Sequence, residues 1–140
     1  LENGRRVTLT YNVVLIALDI IRKVSVVPLP AKAAYTLKRN ADSLYSCVAQ
    51  IQADGDAVLK KYGSFDKEKK EFIMDDESKQ NFMKEYNETI LTKATDVVIR
   101  EIEVSQLSNA QLSVQELELL DFMIVDDHVI LHPSGALLHS

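Results

Sequence analysis

The chain has 140 residues, 46% hydrophobic and 26% charged, with a formal net charge of −5, a composition ordinary for one globular domain with its own core. The acidic balance argues against a nucleic-acid partner, the single cysteine rules out an intrachain disulfide, and four glycines without Walker or dinucleotide spacing leave no phosphate cradle. The most apolar run, Val13 to Ile21, is broken by Asp19 and ended by Arg22 and Lys23, too short to span a bilayer.

Leu1 to Arg6 reads as a loose polar start. Thr8 and Thr10 are candidate N-caps for a first helix carrying Val13, Val14, Leu15, Ile16, Ala17, Leu18, Ile20, Ile21 and Val24. These wrap most of the way round the helix, which therefore has to be covered on several sides. Pro28 and Pro30 then force an extended corner.

From Pro30 to Gly63 the apolar residues Leu37, Ala41, Leu44, Val48, Ile51, Gly55, Val58 and Tyr62 step by fours and threes. That heptad seam predicts one helix of about 50 Å pressed along another. Pro30 fits its first turn and Gly63 a left-handed C-terminal closure. Gly55 on the seam predicts close approach by a facing side chain. Ser64 to Met74, with Phe65 and Phe72 flanking a charged turn, reads as a hairpin. Lys60, Lys61, Lys67, Lys69 and Lys70 alternate with Glu68, Glu71, Asp75, Asp76 and Glu77, a solvated polar tip rather than a basic patch.

Asp75 or Asp76 caps a further helix with Phe82, Met83, Tyr86, Ile90 and Ala94 on one stripe, running back antiparallel to the long helix to about Thr95. Asp96 to Val104 is β-branched at period two and reads as a strand. Ser113-Val114-Gln115-Glu116 matches a capping box opening a C-terminal helix through Ile124. Val125 to His132 reads as a turn and short strand that could pair with Val97–Val104. The expected architecture is α+β, mostly α: a long antiparallel, coiled-coil-like helical hairpin with a first apolar helix, a C-terminal helix and a small antiparallel β element. Residues 1–132 form one domain and 133–140 a tail.

Chemistry-bearing groups are sparse. His128, His132 and His139 lie near Asp126 and Asp127, but no cysteine joins them and their spacing matches no closed zinc motif. Asp75, Asp76 and Glu77, like Asp126 and Asp127, fall in caps or turns where acids are expected. Cys47 has no positive neighbour to activate it and reads as a small apolar residue. No catalytic, cofactor or metal residue is assigned. The apolar surface exceeds what one small chain hides, which points to a homo-oligomer using Val14, Ile16, Leu18, Ile21, Leu44, Val48 and Ile51.

Leu29-Pro30-Ala31-Lys32-Ala33-Ala34-Tyr35 with Arg39-Asn40, then Lys60-Lys61-Tyr62-Gly63, Phe82 to Ile90, Ile102-Glu103-Val104 and Leu117 to Ile124 follow one another in an order that resembles a family of small uncharacterised proteins of tailed-phage and prophage genomes. The resemblance covers residues 8 to 124. Asp66-Lys67-Glu68-Lys69 stands where that family often has an Asp-Gly turn, and the tail beyond Ile124 is longer. The resemblance implies a non-enzymatic accessory or assembly protein acting through an unidentified phage or host protein in the bacterial host cytoplasm, without nucleic-acid or membrane partners. The alternatives are a viral inhibitor of a host or defence protein, and a metal-dependent enzyme built on the C-terminal histidines.

Overall fold

The computed structural model describes residues 4–126, 129–131 and 137–139. The architecture is α+β and mostly helical, with small sheets and a bent central helix. The chain opens with strand β1 (Gly4–Thr10), followed without a loop by helix α1 (Tyr11–Val24). Thr10 is the cap: its Oγ1 accepts the Val13 N–H at 3.2 Å. The expectation of a loose start is therefore corrected for Gly4 to Arg6, Leu1 to Asn3 lying outside the described residues. Val7 and Leu9 turn inward at period two while Arg6 and Thr8 face solvent, and β1 pairs antiparallel along its whole length with β4 (Ala94–Arg100).

Helix α1 is flanked by β1 and by the later helices over Ala31–Tyr45 and Val114–Leu119. Tyr11, Val14, Ala17, Ile20, Ile21 and Val24 are buried, and Val13, Leu15, Ile16 and Leu18 are half-buried against the same core. Both apolar stripes thus have buried members within one chain.

After the Pro28–Pro30 corner come α2 (Ala31–Tyr45) and α3 (Val48–Tyr62). The single helix expected from Pro30 to Gly63 is thus interrupted at Ser46 and Cys47. Local hydrogen bonds account for the break. Ser46 Oγ donates to the Ser43 carbonyl at 2.6 Å, and the Cys47 N–H reaches back only three residues, to Leu44 O at 3.1 Å. Side-chain competition for backbone carbonyls bends a helix in this way. The seam still faces inward throughout, Leu37, Leu44, Ile51 and Val58 being buried and Ala41, Val48, Gly55 and Tyr62 half-buried. Its two halves meet different neighbours: α2 packs on α1, β4 and β5 (Ile102–Glu103), and α3 packs on α4 (Asp76–Glu85).

Gly63 is extended, φ −155° and ψ −180°, rather than left-handed. Space is the reason for glycine here: a Cβ would stand 2.4 Å from Phe72 Cε1 and 2.6 Å from Ile73 O. The chain runs straight into a hairpin of β2 (Ser64–Asp66) and β3 (Glu71–Ile73), as the flanking aromatics had suggested. Asp66 Oδ1 accepts the Glu68 and Lys69 N–H groups at 2.9 and 3.3 Å, an Asx-type turn that replaces the missing glycine. Asp75 caps α4 through Ser78 N at 2.7 Å. The helix then widens into a π-turn over Tyr86–Ile90, closed by Leu91 N to Tyr86 O at 3.0 Å.

The strand expected over Asp96–Val104 is divided at Glu101 into β4 and β5. β5 pairs parallel with β6 (Ile124–Val125), and Val104–Ala110 is a 3₁₀ segment. The capping box at Ser113 and Glu116 is present with both hydrogen bonds, but helix α5 (Val114–Leu119) is short and gives way to a 3₁₀ turn over Asp121–Met123. β7 (Val129–Leu131) pairs antiparallel with β8 (Leu137–His139), so that of the segment expected to pair with Val97–Val104 it is Val125 that does so, with Glu103. β4 has a strand on one edge only, β1, and Asn40 of α2 meets its other edge at Arg100. Asn40 is wholly buried. Its Nδ2 donates to Arg100 O and its Oδ1 accepts from Arg100 N, both at 2.8 Å, so a side chain completes the strand where the neighbouring strand is missing.

Candidate interaction surface

The bend between α2 and α3 swings the second half of the seam away from the sheet and onto α4. Between them lies an apolar groove of about 470 Å³. Ile51, Gly55 and Leu59 of α3 line it together with Phe82, Met83 and Tyr86, and Leu15 and Leu91 also border it. Glycine at 55 is what lets the wall stand close: a Cβ there would meet Tyr86 Cε2 at 3.0 Å, the facing side chain that the seam position implied. Phe82 leans on Tyr86 with ring centroids 5.6 Å apart at 35°. The π-turn matters here, because the extra backbone width lets Tyr86 face the groove while Ile90, at the end of the same turn, is buried in the core. Met83, 52% exposed, stands at the rim. Gln52, Asp56 and Asn87 supply the polar border. Asp56 has no ion-pair partner among the described residues.

Below the groove two tyrosine–carboxylate–lysine clusters clamp α3 to its neighbours. Tyr11 Oη donates to Asp54 Oδ2 at 2.7 Å, Gln50 Nε2 donates to Asp54 Oδ1 at 2.8 Å, and Lys93 Nζ lies 3.4 Å from Oδ2. Tyr62 Oη and Lys61 Nζ donate to Glu85 at 2.7 and 2.6 Å. The donated hydrogen bonds, Tyr11 foremost, hold Asp54 below the usual carboxylate value, and Lys61 and Tyr62 do the same for Glu85. Reciprocally the Tyr11 and Tyr62 hydroxyls are pushed up by their carboxylate partners. In both clusters each carboxylate oxygen accepts a hydrogen bond from the chain itself, and the contacts tie α3 to Tyr11 and Lys93 on one side and to α4 on the other. The sequence reading had passed over both clusters. Tyr11 and Asp54 are 43 residues apart, and no local spacing signals the pair.

Of the residues expected to form an interface, Val14, Ile21, Leu44 and Ile51 are buried within the chain, while Ile16, Leu18 and Val48 are half-buried. Val48 and Ile51 both line the groove. His128 and His132 and the side chain of His139 lie outside the described residues, as does Asp127. Among the described residues no three His, Cys, Asp or Glu side chains cluster as metal ligands would. Cys47 Sγ is half-buried, 3.8 Å from Thr95 Oγ1 and 4.0 Å from Ser43 O. No described helix is long and apolar enough to cross a membrane.

The fold and the groove define a small α+β protein with a built apolar recess on a helical arm. Compared with protein-family models, curated proteins and solved structures, the chain matches none.

Proposed function

We propose that this protein works by protein–protein contact and that the α3–α4 groove receives an amphipathic helix of its partner. The observation that carries the reading is the groove itself, a recess lined mostly by apolar side chains, among which methionine is the one that is exposed. Recesses of that kind take the apolar face of a helix, and methionine adapts to the side chains it meets. Burying what remains exposed of the Met83 and Leu59 side chains would contribute about 1–2 kcal/mol together. Asp56 at the border, without an ion-pair partner among the described residues, on a chain of net charge −5, favours a partner helix with a basic flank. The long hairpin expected from the sequence enters here in reduced form: α3 and α4 act as its arm, presenting the groove.

The resemblance to small tailed-phage proteins supports an accessory or assembly role in the bacterial host cytoplasm, without enzymatic activity. The test is recovery of partners from infected host cells by the unmodified chain and by Met83→Glu, with helix content and melting checked in both. The reading expects a partner retained by the first and lost by the second. Virion components in that difference indicate assembly, and a single host enzyme indicates an inhibitor. Identical recovery by both proteins refutes the groove as the contact.

A further inference from the structure

The hydrogen-bond phase of the β1–β4 ladder can be read from its two ends. Tyr11 N, next after β1, donates to Lys93 O at 2.8 Å, whereas the Arg100 N–H and C=O both point away from β1 to Asn40. In antiparallel strands bonded and non-bonded pairs alternate. With β1 and β4 in register from Gly4↔Arg100 to Thr10↔Ala94, the odd residues Arg5, Val7 and Leu9 bond to β4. The backbone N–H and C=O groups of Arg6 and Thr8 therefore point outward from the sheet edge. Among the described residues nothing accepts or donates to them.

We propose that this edge pairs with the same edge of a second copy, the two β1 strands running antiparallel about a two-fold axis at Val7. In that register Arg6 lies opposite the partner's Thr8, and each such pair exchanges both its N–H···O=C bonds. The axis brings Val7 against the partner's Val7 as a close non-bonded pair on the inner, half-buried face.

Charge selects this register. Arg6 is exposed and has no partner among the described residues. Thr8 Oγ1 donates to Asp96 Oδ1 at 2.7 Å and leaves Oδ2 open. Across the combined sheet the row on the outer face runs Val98, Arg6, then the partner's Thr8 and the partner's Asp96. Arg6 is thus two strand spacings, about 10 Å at Cα, from a carboxylate on the same face, a span that the two side chains close together over the small threonine. Centring the axis on Arg6 would set two arginines face to face, a destabilising like-charge pair. Centring it on Thr8 would draw on Thr10, already committed as the α1 cap. Arginine on an edge strand ordinarily guards it against pairing; here, with Arg5 engaged by Glu101, Arg6 rejects the wrong registers and admits one.

The test is sedimentation of the full chain over a micromolar range, with residue-resolved amide exchange at both ends of the range. The account expects a monomer–dimer equilibrium in which the Arg6 and Thr8 amides slow as dimer forms. Thr8→Pro removes an outward N–H, a change that edge strands tolerate, together with the exposed side-chain hydrogen bond to Asp96, and should abolish the dimer while leaving helix content intact; Thr8→Val, which loses only the hydroxyl, should still dimerise. Arg6→Glu should weaken association about tenfold, and adding Asp96→Arg to it should restore most of the loss. If Thr8→Pro itself unfolds the chain, the charge-swap pair decides. A chain that stays monomeric at about 100 μM, a dimer whose Arg6 and Thr8 amides exchange freely, or a charge swap that restores nothing would each overturn the proposal.

Discussion

Replacing Asn40 tests the joint on which the sheet depends. Asn40→Leu keeps the number and branching of side-chain heavy atoms, with somewhat bulkier methyl ends, but removes both hydrogen bonds to Arg100. It also removes the 3.6 Å contact from Nδ2 to the Met123 sulfur. The cost is not that of two ordinary hydrogen bonds. Arg100 N–H and C=O stay behind, shielded by α2 and with no strand to pair with, and each unsatisfied group costs about 1–3 kcal/mol. Allowing for some access of water at this half-buried residue, the loss should be about 2–4 kcal/mol. That is a large fraction of the 5–15 kcal/mol, roughly, that holds a domain folded. For a chain of this length the unfolding entropy is about 0.3 kcal/mol/K, so the melting temperature should fall by about 10 °C. Urea titration and thermal melts of the wild type, Asn40→Leu and Asn40→Ala supply the comparison. Asn40→Ala should cost somewhat more, because it adds a cavity. If Asn40→Leu melts within about 2 °C of wild type, the side chain is not completing the strand and the phase assigned to β1 loses one of its two supports.

Two further outcomes follow from other parts of the structure. Gly63→Ala should destabilise by about 1–3 kcal/mol through overpacking against Phe72 and Ile73, with no contribution from backbone strain because φ is extended; a melting temperature equal to wild type would show that the hairpin shifts freely. Stability should also fall at both ends of the pH scale. Asp54, Glu85 and Glu116 are held below their ordinary values of 3.8 and 4.5, first by the hydrogen bonds from Tyr11, Lys61 and Lys23 respectively. Their contribution is complete above those values and is lost as pH drops through the lowered ones. Tyr11 and Tyr62 are raised above 10.0 by the hydrogen bonds to Asp54 and Glu85, so their contribution is complete below 10.0 and lost as pH rises past it. Urea midpoints should be flat between these limits. A midpoint that declines steadily across the neutral range would contradict the assignment.

What could be read from the sequence was local. Thr10, Asp75 and the Ser113–Glu116 box announced their helices, because a cap satisfies N–H groups within three residues of itself. The heptad seam named the buried face of α2 and α3, and Gly55 signalled the close approach that Tyr86 makes. Pairing across the chain was not readable. β1 has only Val7 and Leu9 to show its period, and it becomes a strand by meeting β4 some 90 residues away. The break at Ser46 and Cys47 was hidden by a seam that continues through it unaltered. Asn40 sits beside seam residue Ala41 and looks like any polar helix position until Arg100 is placed against it. The groove was half visible: Val48, Ile51, Phe82, Met83 and Tyr86 all fall on apolar stripes, but the space between the stripes depends on how α3 lies against α4, which no local spacing encodes.

The most direct test of the interaction reading is site-specific photocrosslinking in cells that naturally produce the chain. A photoreactive side chain at position 83 sits at the groove rim, and one at Val26, 83% exposed and outside the groove, serves as the control. The account predicts a protein adduct from position 83 and none from position 26, the crosslinked peptide mapping to an amphipathic, basic-flanked helix of the captured protein. Adducts of the same protein from both positions, or none from position 83, would contradict it.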